Sequence, residues 1–282
     1  MSESIEIQML SALEFFHYSQ RFQNRLFVLA LEDEVNLKNL ITDLRVIHAS
    51  HVQMILICKD EKKLKDVIHI WKLRGCPFEY FQINPQDKVT SELSVKLEKE
   101  FKSGKIPVIG LSSTQKNDTF LTVLDHFSME LVSRFTVDKV FFLSHIDGLQ
   151  IDEAFVSHLT PQEATKYLEK SANINIGVER LQYFVQRNME NGVEIVLLEG
   201  QSGCLFQEIF THRGKGSLLT SEYPNTIRRG ELADVLEISL LMKPYIQSGA
   251  ILPITEDEIA KEIQGYYVYS VNDSIVASAK LT

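Results

Sequence analysis

Five short runs built almost wholly from apolar residues constrain this chain more than any other feature. They are Leu26–Leu31, Met54–Cys58, Ile106–Leu111, Lys139–Leu143 and Val193–Leu198. A run of five or six residues without polar alternation is too short for a buried helix and reads as a strand covered on both faces. Between the runs lie stretches of helical period: Leu37–Ala49, Leu64–Leu73, Val89–Lys102, Phe120–Phe135 and Val178–Asn191. Phe78–Ile83 adds an alternating strand, and Thr160-Pro161-Gln162-Glu163 carries the capping-box signature of a helix start. Strands alternating with helices imply a mostly parallel sheet with helices on both sides. The fold class expected is therefore three-layer α/β.

Two segments fall outside that rhythm. Residues 5–23 place Ile5, Met9, Leu10, Leu13, Phe16 and Phe22 at helical spacing, with Phe15 and Tyr18 widening the stripe. An apolar helix ahead of the first strand needs a surface to cover it, either the domain or another subunit. After Ser221, the pattern restarts as strand (Thr226–Arg229), helix (Leu232–Ile246), helix (Glu256–Ile263) and two strands (Tyr266–Val271 and Ser274–Lys280) around Asn272-Asp273. Some sixty residues in β-α-α-β-β order amount to half a domain, and the last strand is expected to be an open edge. The expected organisation is an N-terminal helix over 1–24, an α/β domain over 25–220 and a partial α+β domain over 221–282.

Charge and cysteine usage exclude several functions. A formal net charge of −9 argues against nonspecific nucleic-acid binding. Cys58, Cys76 and Cys204 are far apart, with no Cys-x-x-Cys pair, so neither a disulfide framework nor a zinc site is expected. His48 and His51 stand three residues apart without a carboxylate or thiol partner, a pattern better read as a helix end than as a metal site. No run approaches the ~20 apolar residues of a membrane span, and no basic-then-apolar leader opens the chain. A cytoplasmic protein is the expectation, with no membrane partner.

The stretch with most chemistry is Glu208-Ile209-Phe210-Thr211-His212-Arg213-Gly214-Lys215-Gly216-Ser217-Leu218. A helix end, a polar turn and two glycines one residue apart expose backbone N–H groups and bring a carboxylate beside them. Gly-x-Gly alone is a weak signal, and a tight helix-to-strand turn explains it equally well. Ser202-Gly203-Cys204 opens the same helix, and Cys204 reads as a small buried apolar residue rather than a nucleophile. His145, at the end of a strand, and Trp71, spaced with Leu64 and Ile68, read as a loop histidine and a core residue.

Together these words resemble the N-acetylglutamate synthase family. Glu208–Leu218 resembles its "E-L-F-T-x-x-G-x-G-T-x-I" turn, and Gly104-Lys105-Ile106-Pro107-Val108-Ile109 its "G-x-I-P-V-I" strand. Asp138–Ser144 with Asp147-Gly148-Leu149 is similar to "D-K-L-I-F-L-T-x-V-x-G". Phe15–Phe22 followed by Arg25-Leu26-Phe27-Val28 looks like the N-terminal helix running into the first strand. Thr226–Val235 resembles the opening "I-R-x-A-x-x-x-D" of an acetyltransferase domain. The resemblance implies an amino-acid-kinase-like domain followed by a Gcn5-related acetyltransferase domain. In complete members that pair transfers acetyl from acetyl-CoA to glutamate at the start of arginine synthesis. It also implies an arginine site at Glu208, Thr211, Gly214, Gly216 and Ser217, and a homo-oligomer formed through the N-terminal helix.

Departures qualify the activity. Where a kinase has a lysine and paired glycines for phosphates, this chain has Leu29-Ala30-Leu31-Glu32-Asp33-Glu34, whose carboxylates repel them. The second glycine-rich turn reads Cys58-Lys59-Asp60-Glu61, the "T-D" reads Ser144-His145, and no lysine stands between Gly177 and Glu179. Kinase chemistry is not expected. The glycine turn that holds coenzyme A would follow Thr282, so no acetyl-CoA site, no catalytic residue and no metal are assigned. A non-catalytic regulatory or structural module is the alternative reading.

Overall fold

The computed structural model describes residues 2–32, 35–59, 64, 68, 70–72, 74–84, 89–111, 122–170, 172–211, 214–221, 225–271 and 274–281. Two compact units emerge. One comprises Tyr18–Ser221; the other joins Met1–His17 with Glu222–Thr282.

In the larger unit an eight-stranded sheet runs in the order β3-β4-β2-β1-β5-β9-β10-β8. The strands are β1 (Leu26–Leu31), β2 (Gln53–Cys58), β3 (Phe78–Ile83), β4 (Ile106–Leu111), β5 (Lys139–Ser144), β8 (His158–Leu159), β9 (Glu194–Glu199) and β10 (Ser217–Leu219). Their helices are α2 (Ile41–Ala49), α3 (Ser91–Lys102), α4 (Val123–Val132), α5 (Pro161–Glu169), α6 (Val178–Asn191) and α7 (Cys204–Phe210). From β3 to β9 the neighbours are parallel; β10 is antiparallel to β9 and parallel to β8. A two-stranded ribbon, β6 (Gln150–Ile151) with β7 (Ala154–Phe155), projects from the loop after β5.

The apolar runs explain the architecture. All six residues of β1, β4 and β5 are buried. Successive residues point to opposite faces. Val28, Ala30, Val140 and Phe142 therefore share a core with Phe127 and Leu131 of α4 and Leu181 and Phe184 of α6. Phe27 instead stacks edge-on against Phe22 and Phe141 across the other face. There α2 packs on α7, and the buried Asp43 carboxylate of α2 accepts the amides of Gly203 and Phe206 that open α7. Trp71, Leu64 and Ile68 are buried as the spacing predicts, and Trp71 tilts against Phe78 at 4.9 Å.

Capping sets the helix boundaries. Thr160 and Glu163 form the expected reciprocal box at α5, and Gly192 closes α6 in the left-handed conformation at φ 67°. Thr122 and Asp125 make a second box, so α4 begins at Val123 rather than at Phe120, which lies outside the described residues. The helical stretch read from Leu37 starts as a 3₁₀ turn, Leu37–Leu40, before α2.

In the smaller unit α1 contributes its residues up to His17, the whole helix spanning Ser2–Arg21. An antiparallel sheet, β11 (Asn225–Arg229), β12 (Tyr266–Val271) and β13 (Ser274–Lys280), is accompanied by α8 (Val235–Gln247) and α9 (Glu256–Lys261). Its small core is Ile238, Ile259, Ile263, Tyr266 and Val268. The helix read as running to Ile263 breaks at Glu262 and continues as a 3₁₀ turn. Asn272-Asp273, read as the hairpin turn, lies outside the described residues. Among the described residues β13 pairs with β12 alone.

Candidate ligand site at the helix-to-strand turn

Glu208 occupies the last turn of α7. Its Oε2 accepts the amide of Gly216 at 2.8 Å and that of Lys215 at 2.5 Å, so the carboxylate closes the loop that follows its own helix. Charged acceptors on exposed backbone donors are the strong class of hydrogen bond. Both bonds land on Oε2; among the described residues Oε1 carries none. Gly214 is held at φ 61°, where a Cβ would stand 2.8 Å from Glu208 Oε2. At Gly216 a Cβ would lie 2.4 Å from the carbonyl oxygen of Leu197. The first glycine keeps the carboxylate close to the turn, and the second lets β10 enter the sheet beside β9.

Thr211 and Ser217 have other tasks. The Thr211 hydroxyl donates to Gln207 O at 2.7 Å, ending α7. Ser217, buried at the head of β10, accepts the Leu149 amide at 2.8 Å, which ties the sheet to β6. A Cβ at Gly148, whose φ is 146°, would come within 2.6 Å of that Ser217 hydroxyl. Of the five residues named from sequence, Glu208, Gly214 and Gly216 thus form one hydrogen-bonded unit, and Thr211 and Ser217 flank it. His212 and Arg213 lie outside the described residues.

One neighbour carried no sequence signal. His158 lies in β8 opposite Leu218 of β10, fifty residues before Glu208 in the chain. Burial pushes its imidazole below the ordinary histidine range, and the negative Glu208 pulls it partway back.

A second cluster sits where an open α/β sheet normally receives ligands, beyond the carboxyl ends of the central strands where the strand order reverses. Glu32 follows β1, and its amide donates to Leu143 O of β5 at 3.0 Å. Its carboxylate accepts from Nη2 of Arg180 at 2.8 Å. The same guanidinium reaches Asp125 Oδ1 through Nη2 at 2.8 Å and Nε at 3.1 Å. The sequence offers Glu32 as one of three carboxylates that repel phosphates; the structure supplies it with a cation 148 residues away. Asp33, Glu34, Asp60 and Glu61 lie outside the described residues.

The remaining candidates resolve into structure. The Cys204 thiol is raised by burial, and Cys76 is pushed up to about 11 by the same cause, leaving neither as an activated nucleophile. His145 is exposed just beyond β5, and His51 sits at φ 59° after α2. Among the described residues no three His, Cys, Asp or Glu side chains gather as a metal site, and no helix is long and apolar enough to cross a membrane. In the smaller unit Arg228 holds Asp234 through two parallel bonds, Nη1 to Oδ2 at 2.6 Å and Nη2 to Oδ1 at 2.9 Å. Asp234 in turn accepts the Glu231 amide at 2.8 Å, which gives the Arg-to-Asp spacing of that segment a structural reason.

No family model matches the chain. It is 26% identical over 185 residues to the amino-acid acetyltransferase of Pasteurella multocida, covering 62% of this chain and 42% of that protein. To the amino-acid acetyltransferase of Shigella flexneri it is 23% identical over 192 residues, 66% of this chain and 43% of that protein. Among solved structures it is similar to N-acetylglutamate synthase from Neisseria gonorrhoeae, complexed with coenzyme A and L-arginine. That match has a TM-score of 0.64 at 17% identity, over 97% of this chain and 78% of that one. The likeness is one of fold. The chain spans less than half the length of the curated relatives it matches.

Proposed function

We propose that this chain, a relative of the N-acetylglutamate synthases, is the arginine-responsive part of an acetyl-transferring protein of arginine biosynthesis. Its kinase-like domain does no phosphoryl chemistry. The observation that carries the reading is the Glu208 turn: a carboxylate with one oxygen committed to backbone amides and the other without a bond among the described residues, a match for a guanidinium. Lost kinase function is supported by the cluster beyond β1, where Glu32 and Asp125 both pair with Arg180. Carboxylates at that place disfavour a polyphosphate.

Glutamate acetylation is proposed for the complete protein only. In that chemistry the substrate amine loses a proton and attacks the thioester carbonyl, the developing oxyanion needs a donor, and the C–S bond breaks to release coenzyme A as its thiol. Acetyl-CoA supplies the acetyl group. The glycines of the smaller unit do not fit a pyrophosphate cradle. Gly230 packs against Ile263, Gly249 ends α8 at φ 73° and Gly265 faces Leu281 O. No residue of this chain is assigned to coenzyme A, to glutamate or to catalysis.

Homo-oligomerisation through the N-terminal helix belongs to the same proposal. Phe16 is 59% exposed and meets Phe15 edge-on at 6.0 Å, and an exposed aromatic ring on this helix supports an interface there. A cytoplasmic setting is supported by three buried free thiols.

A second reading, a structural module without a small ligand, is favoured by one observation. Glu208 and Ser217 already satisfy three backbone amides of their own chain. Thermal-shift titration with L-arginine, L-lysine, acetyl-CoA and ATP separates the two. A midpoint that rises with arginine alone supports sensing, because a ligand of the folded state stabilises it by mass action. No shift with any of the four supports the structural module, and a shift with ATP overturns the loss of kinase function.

A further inference from the structure

We infer that Arg180 forms a subsite for a small carboxylate ligand and that Glu32 occupies this subsite from within the chain. The Arg180 side chain is only 9% exposed, and its guanidinium lies over the rings of Phe142 and Phe184 at 5.3 Å each. A guanidinium buried beside a stacked pair of aromatic rings must be paired, since an unpaired buried charge is strongly destabilising. One partner is permanent. Asp125 is wholly buried and takes both Nε and Nη2 on Oδ1, while its Oδ2 accepts the amide and hydroxyl of Thr122 at the start of α4.

The other partner is of a different kind. Glu32 makes a single contact to the guanidinium, its side chain is 20% exposed, and it is the first residue beyond β1. The single charge of the guanidinium is already balanced by Asp125, so the second carboxylate is the exchangeable one. In a chain that lacks the Glu32 carboxylate, a free carboxylate of acetate size would restore the charge count. Displacing Glu32 would also reach further into the fold. Val35 donates its amide to Glu32 O at 3.1 Å, and its side chain packs so tightly on Gly200 that a Cβ there would stand 2.6 Å from Val35 Cγ1. Gly200 closes β9 just ahead of the helix that carries Glu208.

Chemical rescue tests this directly. In the full chain, Glu32→Ala should lower the thermal midpoint by about 5 °C or more, and sodium acetate should restore at least half of that loss relative to sodium chloride at equal ionic strength. The native chain, with its own carboxylate in place, should gain nothing from acetate beyond the chloride effect. Arg180→Met added to Glu32→Ala should abolish the acetate response. Should Glu32→Ala not fold, Glu32→Gln, which keeps the shape and loses the charge, enters the same titration. A Glu32 variant as stable as the native chain, or one that responds to acetate no more than to chloride, overturns the inference. Because no arginine enters this experiment, its failure leaves the arginine reading untouched.

Discussion

Replacing Glu208 by alanine gives the sharpest test of the turn. The substitution removes the acceptor of two backbone amides, of which Lys215 is exposed and Gly216 buried. Water can take over at Lys215 and cannot at Gly216, so one buried amide loses a charged acceptor. Such a loss costs roughly 1.5–3 kcal/mol. In a unit of this size each kcal/mol moves the midpoint by roughly 2–4 °C, so the expected fall is about 3–12 °C. Urea unfolding should show a lower midpoint with unchanged slope, the mark of a change in stability rather than in compactness. Glu208→Gln keeps an acceptor and loses only the charge assistance, so it should retain about half of the difference. The pair also separates the two roles of the side chain. A Gln variant that is nearly as stable as the native chain but no longer answers to arginine would assign the charge to the ligand. Glu208→Ala within about 0.5 kcal/mol of the native chain would refute the reasoning, leaving the turn to glycine geometry alone.

Three further outcomes are expected. Gly216→Ala drives a Cβ to 2.4 Å from Leu197 O, a backbone atom that cannot step aside, and should destabilise the larger unit by about 1–3 kcal/mol in urea. His158 has its folded-state pKa held below the unfolded value by burial. Its contribution is therefore present above the ordinary value of 6.5 and lost as pH falls below it. Urea stability should decline between about pH 7 and 5.5, and His158→Gln should flatten that decline. Asp234 is held below the usual carboxylate range, first by Arg228 and then by the Glu231 amide. Its contribution is present above the unfolded value of 3.8 and lost in acid; Arg228→Met should erase that acid limb and speed proteolysis within Asn225–Lys280 at neutral pH.

What could be read from the chain follows from how local the determinants are. β1, β3, β4, β12 and β13 keep the bounds that their apolar or alternating runs predict, because burial on one or both faces writes itself into consecutive residues. The capping box at Thr160 and the left-handed Gly192 are equally local. By contrast, β6, β7, β8 and β10 are two or three residues long, too short for any period. The reversal that sets β10 antiparallel to β9 depends on Gly216 and the Ser217–Leu149 bond, not on a run. The candidate site divides in the same way. Glu208, Gly214 and Gly216 stand within nine residues and were legible as a word. His158 reaches the turn only through strand pairing with Leu218. Arg180 finds Asp125 across 55 residues and Glu32 across 148, a separation that no spacing rule spans. The sequence therefore shows Glu32 only among its acidic neighbours, and the fold pairs it with Arg180.

The smaller unit illustrates how a motif can carry a physical meaning apart from chemistry. Arg228 and Asp234 are joined by a two-pronged ion pair, and Asp234 caps the turn that leads into α8. The pairing fixes where the strand hands over to the helix, which is reason enough for the Arg-to-Asp spacing.

Calorimetric titration of L-arginine into the full chain bears most directly on the account. Saturable binding with roughly one site per chain is predicted, weakened at least tenfold by Glu208→Gln and unaffected by Glu32→Ala. Absence of heat and of any midpoint shift at millimolar arginine, in a chain shown to be folded, would contradict it and leave the Glu208 turn as a structural joint.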